Sequence, residues 1–214
     1  PQIVQVADID QRTRAILIGP GMTGTDAHMQ LLTRVLDQDL PVILDAGALS
    51  MVAANVPLVQ QIRQRSALTV MTPHDGELTV LTGPSQSPRI HRAAQAARDF
   101  GAIVVHKGFA TIIAGPDGEL FFDDAGTPVL ATAGSGDVLA GIIAASLAGH
   151  RGLDLPASVE LVAAAVRVHS LAALRAADGG PAISVADLPV AASQVVREIW
   201  RQGAGERSMS RWGQ

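Results

Sequence analysis

Apolar residues along the chain follow two rhythms, short unbroken runs and longer stretches in which they recur at helical spacing. The runs at 15–18, 41–45, 68–71 and 102–105 read as buried strands. Between them, 26–36, 56–65, the stretch after Thr72-Pro73-His74-Asp75-Gly76-Glu77, and 88–100 carry helical patterns. Strand and helix in alternation is the sign of βαβ units and a largely parallel sheet. Two further apolar runs, 111–114 and 120–122, flank Gly115-Pro116-Asp117-Gly118 and predict an antiparallel hairpin at one side of that sheet. The remainder is helical. Residues 138–148 and 159–174 are apolar on nearly every face, which predicts helices lying under other elements, and 187–201 is amphipathic. One domain is expected over 1–202, with a flexible polar tail at 203–214.

Composition narrows the class. With 214 residues, 48% hydrophobic and 17% charged, the chain suits one substantial core. A net charge of −4 with scattered Lys and Arg gives no electrostatic footprint for nucleic acid. Cysteine is absent, which excludes disulfides and thiolate metal sites. Neither a signal peptide nor a spanning segment is read in the pattern, so the expectation is a cytoplasmic enzyme without a membrane partner.

The candidate chemistry begins at Ala133-Gly134-Ser135-Gly136-Asp137-Val138-Leu139-Ala140-Gly141, a glycine turn that opens a helix. The first N–H groups of a helix have no intrahelical partner and attract anions, and Gly134 and Gly136 let a phosphate approach the backbone. Asp137 admits two readings: a general base for a substrate hydroxyl, or a carboxylate that complements the helix terminus. In an open α/β sheet the loops after the parallel strands converge on one edge. Gly19-Pro20-Gly21, Asp45, His74 with Glu77, and Lys107-Gly108 all fall at such positions. Each also has a plainer explanation: turn geometry for the glycines, an Asx turn or cap for Asp45, a stiff solvated turn for His74, a capping arrangement for Glu77, an exposed cation for Lys107. His169, inside an apolar helix, reads as a satisfied core histidine. His28, His91 and His150 show no spacing that suggests zinc.

On these motifs the chain resembles the ADP-dependent NAD(P)H-hydrate dehydratases. The matching signatures are Ile18-Gly19-Pro20-Gly21, Leu44-Asp45-Ala46, Thr72-Pro73-His74-Asp75-Gly76-Glu77-Leu78, Lys107-Gly108-Phe109-Ala110-Thr111, and Leu130-Ala131-Thr132 running on into the glycine turn. The last fits many ribokinase-like kinases, whereas the proline–histidine turn points to the dehydratases. The resemblance implies a ribokinase-like three-layer α/β/α fold. It also implies repair of the S-epimer of hydrated NADH or NADPH at the expense of ADP or ATP, with Mg²⁺ and with AMP and phosphate released when ADP is used. Gly21, His74 and Asp137 would contact the hydrated cofactor, with Asp137 catalytic. Lys107, Gly108, Phe109, Ala110 and Thr111, together with Gly134, Ser135 and Gly136, would hold the nucleotide. Glu77 is the metal candidate, directly or through water, and Asp45 a further site candidate. An NAD(P)H-hydrate epimerase is the implied pathway partner and a homotetramer the implied assembly.

Three departures from the family pattern bear on these expectations. The chain starts close to the Gly19 strand, where the family has a further segment that walls the substrate pocket. Gly47 stands where an acidic residue is common, and Thr127 where an asparagine is common. Two other functions share the motifs: a ribokinase-like small-molecule kinase of the hydroxymethylpyrimidine or hydroxyethylthiazole type, and a non-catalytic nucleotide-binding protein.

Overall fold

Six strands form one sheet in the order of the sequence: β1 (Ile16–Ile18), β2 (Val42–Leu44), β3 (Thr69–Met71), β4 (Ile103–His106), β5 (Thr111–Ala114) and β6 (Leu120–Asp123). The computed structural model describes residues 9–150 and 152–209. Strands β1 to β4 are parallel, while β5 and β6 run antiparallel, joined by the turn at Gly115 to Gly118. Parallel neighbours need crossovers, and helices supply them: α1 (Asp26–Leu36), α2 (Gly47–Ala53) with α3 (Val56–Gln64), and α4 (Asp75–Thr82) with α5 (Arg89–Phe100).

Strand side chains alternate between two cores, as the period of a pleated strand requires. Val42 and Leu44 face the cluster built with α1 to α5, whereas Ile43, Val70, Ile103 and Val105 face the opposite cluster. That second face is covered by α6 (Ser135–Gly149) and α7 (Leu155–Ala177), which pack on each other. Both are apolar nearly all round because α7 is in turn overlaid by α8 (Leu188–Met209), through Val168, Ala172, Ala173, Leu188 and Ala192. By length and hydropathy α7 also meets the test for a membrane-crossing helix, but half of that window is buried between the sheet and α8, the environment of a core helix.

Two expectations change. Helix α8 runs to Met209, past Gly203 and Gly205, where the pattern predicts a tail from 203; residues 210–214 lie outside the described residues. Helix α2 has no counterpart in the pattern, because its seven residues are too few to show a period and four of them are buried.

Candidate functional site

The carboxyl edge of the parallel strands gathers the turns that the sequence singles out. Pairing continues past the strands themselves: Asp45 N–H donates to the Ile18 carbonyl (3.1 Å), Thr72 N–H to Leu44 (3.1 Å) and Lys107 N–H to Pro73 (2.8 Å). His74 and Lys107 are thereby bridged side by side. Strand β5 is antiparallel to β4, so its first residue, Thr111, lies at this same edge, paired with Asp123 at the end of β6.

Glycine decides how closely the first two turns approach. A Cβ on Gly19, whose φ is +131°, would overlap the Asp45 carbonyl, and a Cβ on Gly47 would overlap the Met22 carbonyl. Between them Ala46 is held at φ 47°, a conformation costly for a residue with a side chain. The glycine at 47 is therefore a packing requirement of this chain.

Asp45 is 1% exposed and its Oδ1 takes two donors, Lys107 Nζ at 2.8 Å and Thr72 Oγ1 at 2.7 Å. Lys107 is thus a paired cation. Glu77 Oε2 lies 3.7 Å from the same ammonium. Glu77 also closes a capping box on α4: His74 N–H donates to Oε2 (2.8 Å) while Glu77 N–H donates to His74 Nδ1 (3.1 Å). With Nδ1 accepting, a neutral His74 ring carries its proton on Nε2, and the side chain is 60% exposed. The capping reading of Glu77 holds, and the cap orients both side chains.

Lys107 reaches across to α6. Its Nζ would lie 3.3 Å from a Cβ on Gly136. Helix α6 starts from Gly134 in the left-handed region (φ 87°), with no side-chain cap. The Ser135 N–H donates to the Thr132 carbonyl and the Val138 N–H to Gly134, which leaves the Gly136 and Asp137 N–H groups without partners among the described residues. Asp137 is exposed and its side chain makes no hydrogen bond or ion pair among the described residues. An uncapped helix terminus beside an ammonium is an anion-binding arrangement.

From this terminus a cavity of about 400 Å³ runs between the Lys107–Thr111 loop, the segment Gly126–Ala131 and α7. It includes Lys107, Gly108, Phe109, Thr111, Ser135 and Gly136; Gly134 and Ala110 stand just outside its lining. Gly21 belongs to the neighbouring turn, where a Cβ would meet nothing within 4 Å. Thr127 lines the cavity, followed by a 3-10 turn at Pro128–Leu130.

Four contributions are invisible to motif reading. Arg89, at the start of α5, donates to the carbonyls of Lys107 (2.9 Å) and Ala110 (2.8 Å) and so fixes the shape of that loop. A Cβ on Gly108 would collide with its guanidinium. Arg89 Nε also bonds Asp75 Oδ1 (3.1 Å), which meets the fully buried His106 Nε2 at 2.6 Å. Burial, reinforced by Arg89, holds the His106 ring below the usual imidazole range; for Asp75 the pull of Arg89 and His106 outweighs burial and lowers the carboxyl. Asp123, also buried, is held by Ser170 Oγ (2.5 Å) and Arg167 (3.0 Å), which ties α7 to the end of β6. Finally, His169 is buried as expected but not fully satisfied: its Nε2 has no hydrogen-bond partner among the described residues.

Comparison with known proteins adds a family to this geometry. Over 191 residues the chain is 44% identical to the bifunctional NAD(P)H-hydrate repair enzyme of Mycobacterium leprae, covering 88% of this chain and 38% of that one. It is 36% identical over 148 residues to the ADP-dependent (S)-NAD(P)H-hydrate dehydratase of Bacillus subtilis, covering 67% of this chain and 51% of that one. The chain thus spans from about two fifths to about half of the length of these relatives. Among solved structures, a Bacillus subtilis ADP/ATP-dependent NAD(P)H-hydrate dehydratase, co-crystallised with ATP/Mg²⁺ and soaked with CoA, superimposes with a TM-score of 0.74 at 32% identity, over 91% of this chain and 68% of that one. The layering is that of ribokinase-like proteins. The family model for NAD(P)H-hydrate dehydratase matches residues 2–193 and so takes in every turn gathered at this edge, which makes the chain a member of that family.

Proposed function

We propose that this edge dehydrates the S-epimer of hydrated NADH or NADPH with an adenine nucleotide, ADP in the first instance, as phosphoryl donor. The observation that carries the reading is the meeting of Lys107 Nζ with the uncapped start of α6, next to an unpaired Asp137. An anion cradle explains the N–H groups and the ammonium. A carboxylate beside a phosphate is repulsive unless it takes a proton, which a general base does.

In this reading Lys107 and the Gly136 and Asp137 N–H groups hold the phosphates, while the loop from Lys107 to Thr111, shaped by Arg89, borders the nucleotide. Gly21 leaves its turn open to the hydrated cofactor, and His74 offers Nε2–H to it as a donor. Asp137 accepts the proton of the hydrate hydroxyl as that oxygen forms a bond to the β-phosphorus of ADP and the bond to AMP breaks. Phosphate then leaves the ring carbon with the electron pair, and loss of a proton from the neighbouring carbon restores the double bond. Phosphorylation turns hydroxide, a poor leaving group, into a good one.

Mg²⁺ supplies charge neutralisation at phosphoryl oxygens when it arrives with the nucleotide. Among the described residues no group of three His, Asp or Glu side chains is placed to hold a metal by itself. Mg²⁺ bound mainly by phosphate and water needs only one or two carboxylates, and Glu77, whose Oε1 has no partner among the described residues, fits that role, directly or through water. Asp45, whose Oδ1 accepts from both Lys107 and Thr72, holds the cation in place.

The test is restoration of the reduced-cofactor absorbance on incubating hydrated NADH with ADP or ATP. Asp137→Asn is expected to bind ADP but to lose turnover by about 10² to 10⁴-fold, the usual worth of a positioned base. A stable phosphorylated metabolite in place of reduced cofactor would establish the kinase alternative. Tight ADP binding with no turnover on either nucleotide would establish a binding protein.

A further inference from the structure

The loop after β4 has an uneven inventory of main-chain groups. Its carbonyls are engaged: Lys107 accepts from Arg89 Nη2 (2.9 Å), Ala110 from Arg89 Nη1 (2.8 Å) and Gly108 from Thr111 Oγ1 (3.3 Å). Its donors are not, since the N–H groups of Gly108, Phe109 and Ala110 have no partner among the described residues. A segment whose acceptors are committed and whose successive donors are free presents positive partial charge, which is how a main chain binds an anion. Gly108 and Phe109 border the cavity that opens from the start of α6.

Arg89 produces this asymmetry. In a planar trans peptide the carbonyl and the following N–H point to opposite sides. Drawing the Lys107 carbonyl onto the guanidinium therefore turns the Gly108 N–H away from Arg89. The guanidinium is itself anchored, because its Nε donates to Asp75 Oδ1 (3.1 Å), and that oxygen meets Nε2 of the fully buried His106 at 2.6 Å. Nη2 also lies 3.4 Å from the His106 carbonyl. A rigid planar fork engaged on both arms and at Nε is held in one orientation. The glycine at 108 belongs to the same device: the nearest atoms that a Cβ there would strike all belong to the guanidinium.

We propose that Arg89 is a positioning residue for the nucleotide, which withdraws the carbonyls of this loop and sets its free N–H groups, Gly108 foremost, to receive phosphate oxygens. The inference rests on the nucleotide-dependent reading of the site. With the clamp gone, the released carbonyls turn freely, and a carbonyl dipole aimed at a phosphate repels it. The contribution of Arg89 is geometric, because its hydrogen bonds are spent on Asp75 and on the main chain. Affinity for the nucleotide is thereby assigned in part to the first residue of α5, outside every motif that carries the phosphate chemistry.

Calorimetry decides it, with ADP titrated into the unmodified chain, Arg89→Ala, Arg89→Lys, Gly108→Ala and the double variant Arg89→Ala with Gly108→Ala, each checked for a native circular dichroism spectrum. Arg89→Lys keeps the charge but not the fork, and is expected to lose at least about ten-fold in ADP affinity, as is Arg89→Ala. Gly108→Ala displaces the guanidinium while retaining it and weakens ADP similarly, and the double variant is no weaker than Arg89→Ala alone. In turnover the KM for ADP rises in the Arg89 variants, while the KM for hydrated NADH and kcat at saturating ADP stay within about two-fold, a split that a general loss of structure does not give. A folded Arg89→Lys or Arg89→Ala that binds ADP as the unmodified chain does overturns the proposal. So does a double variant whose loss is the product of the two single losses. Should the Arg89 variants not fold, Gly108→Ala decides alone, and unchanged ADP affinity in it overturns the proposal. Absence of any ADP binding by the unmodified chain overturns the nucleotide reading itself, an outcome distinct from ADP binding that is indifferent to Arg89.

Discussion

Lys107 shows how one side chain joins a stabilising ion pair to the proposed binding site. Its ammonium neutralises Asp45, which is 1% exposed, and also faces the uncapped start of α6. Lys107→Met leaves a buried carboxylate with only the Thr72 hydroxyl, so a loss of about 3 kcal/mol in urea unfolding is expected, with weaker ADP binding. Substituting an exposed lysine would cost almost nothing, which makes the size of the loss diagnostic. His169 links stability to pH. Its folded pKa of about 4 lies below the ordinary imidazole value, so as acid is added the unfolded chain takes up the proton first. The stability this ring contributes is full above about pH 6.5 and is lost as the pH falls towards 4, a change on the order of 3 kcal/mol. His106, also held low by burial and by Arg89, adds to the same slope. The readout is therefore the difference between the unmodified chain and His169→Gln: unfolding free energy measured from pH 7.5 to 5 is expected to fall less steeply in the variant. The residues proposed to carry phosphate chemistry were singled out in the sequence because helix termini and strand ends impose their own residue types. Arg89 and His169 were not, because nothing local separates an arginine that clamps a distant loop, or an orphaned imidazole, from an ordinary helical residue.

At the scale of elements, the site depends on backbones that touch. Gly19 meets the Asp45 carbonyl and Gly47 meets the Met22 carbonyl, so the turns after β1 and β2 lock together with Ala46 strained between them. Gly47→Ala is expected to destabilise the chain by about 1 to 3 kcal/mol, seen as a lower urea midpoint, because backbone atoms and not a flexible side chain must yield. Strand placement was readable since each apolar run of the βαβ units is bounded by helical spacing or turn residues. The helix α1 has the expected bounds, with Thr25 as its cap. The short helix α2 escaped that reading, and α8 extends beyond it through Gly203 and Gly205, since a helix once packed against α7 carries residues of poor propensity.

For the whole molecule, the sequence pattern predicts self-association from apolar surplus on 138–148 and 159–174. That surplus is largely spent inside: Leu139, Ala140, Ile143 and Leu147 of α6 and Val159, Val162 and Val166 of α7 are buried under the sheet or each other. Exposed large apolar side chains occur instead on α8, where Val190, Val196, Ile199 and Trp200 are all at least half exposed. We propose that the chain self-associates through the outward side of α8 that carries Val190 and Val196, with a multi-subunit mass expected by light scattering and reduced by Val190→Glu with Val196→Glu. A monomer at every working concentration removes the proposal. Sequence alone determined the alternation of strand and helix, the hairpin, and which turns are the candidates for phosphate binding, because periodicity, turn chemistry and helix-terminus physics act over a few residues. Only tertiary structure decided that Lys107 pairs with Asp45, that Arg89 shapes the loop after β4, that Gly47 is sterically required, and that His169 is buried with its Nε2 unpartnered among the described residues. Those facts depend on which distant segments the sheet order brings within hydrogen-bonding reach, and no local pattern encodes that distance.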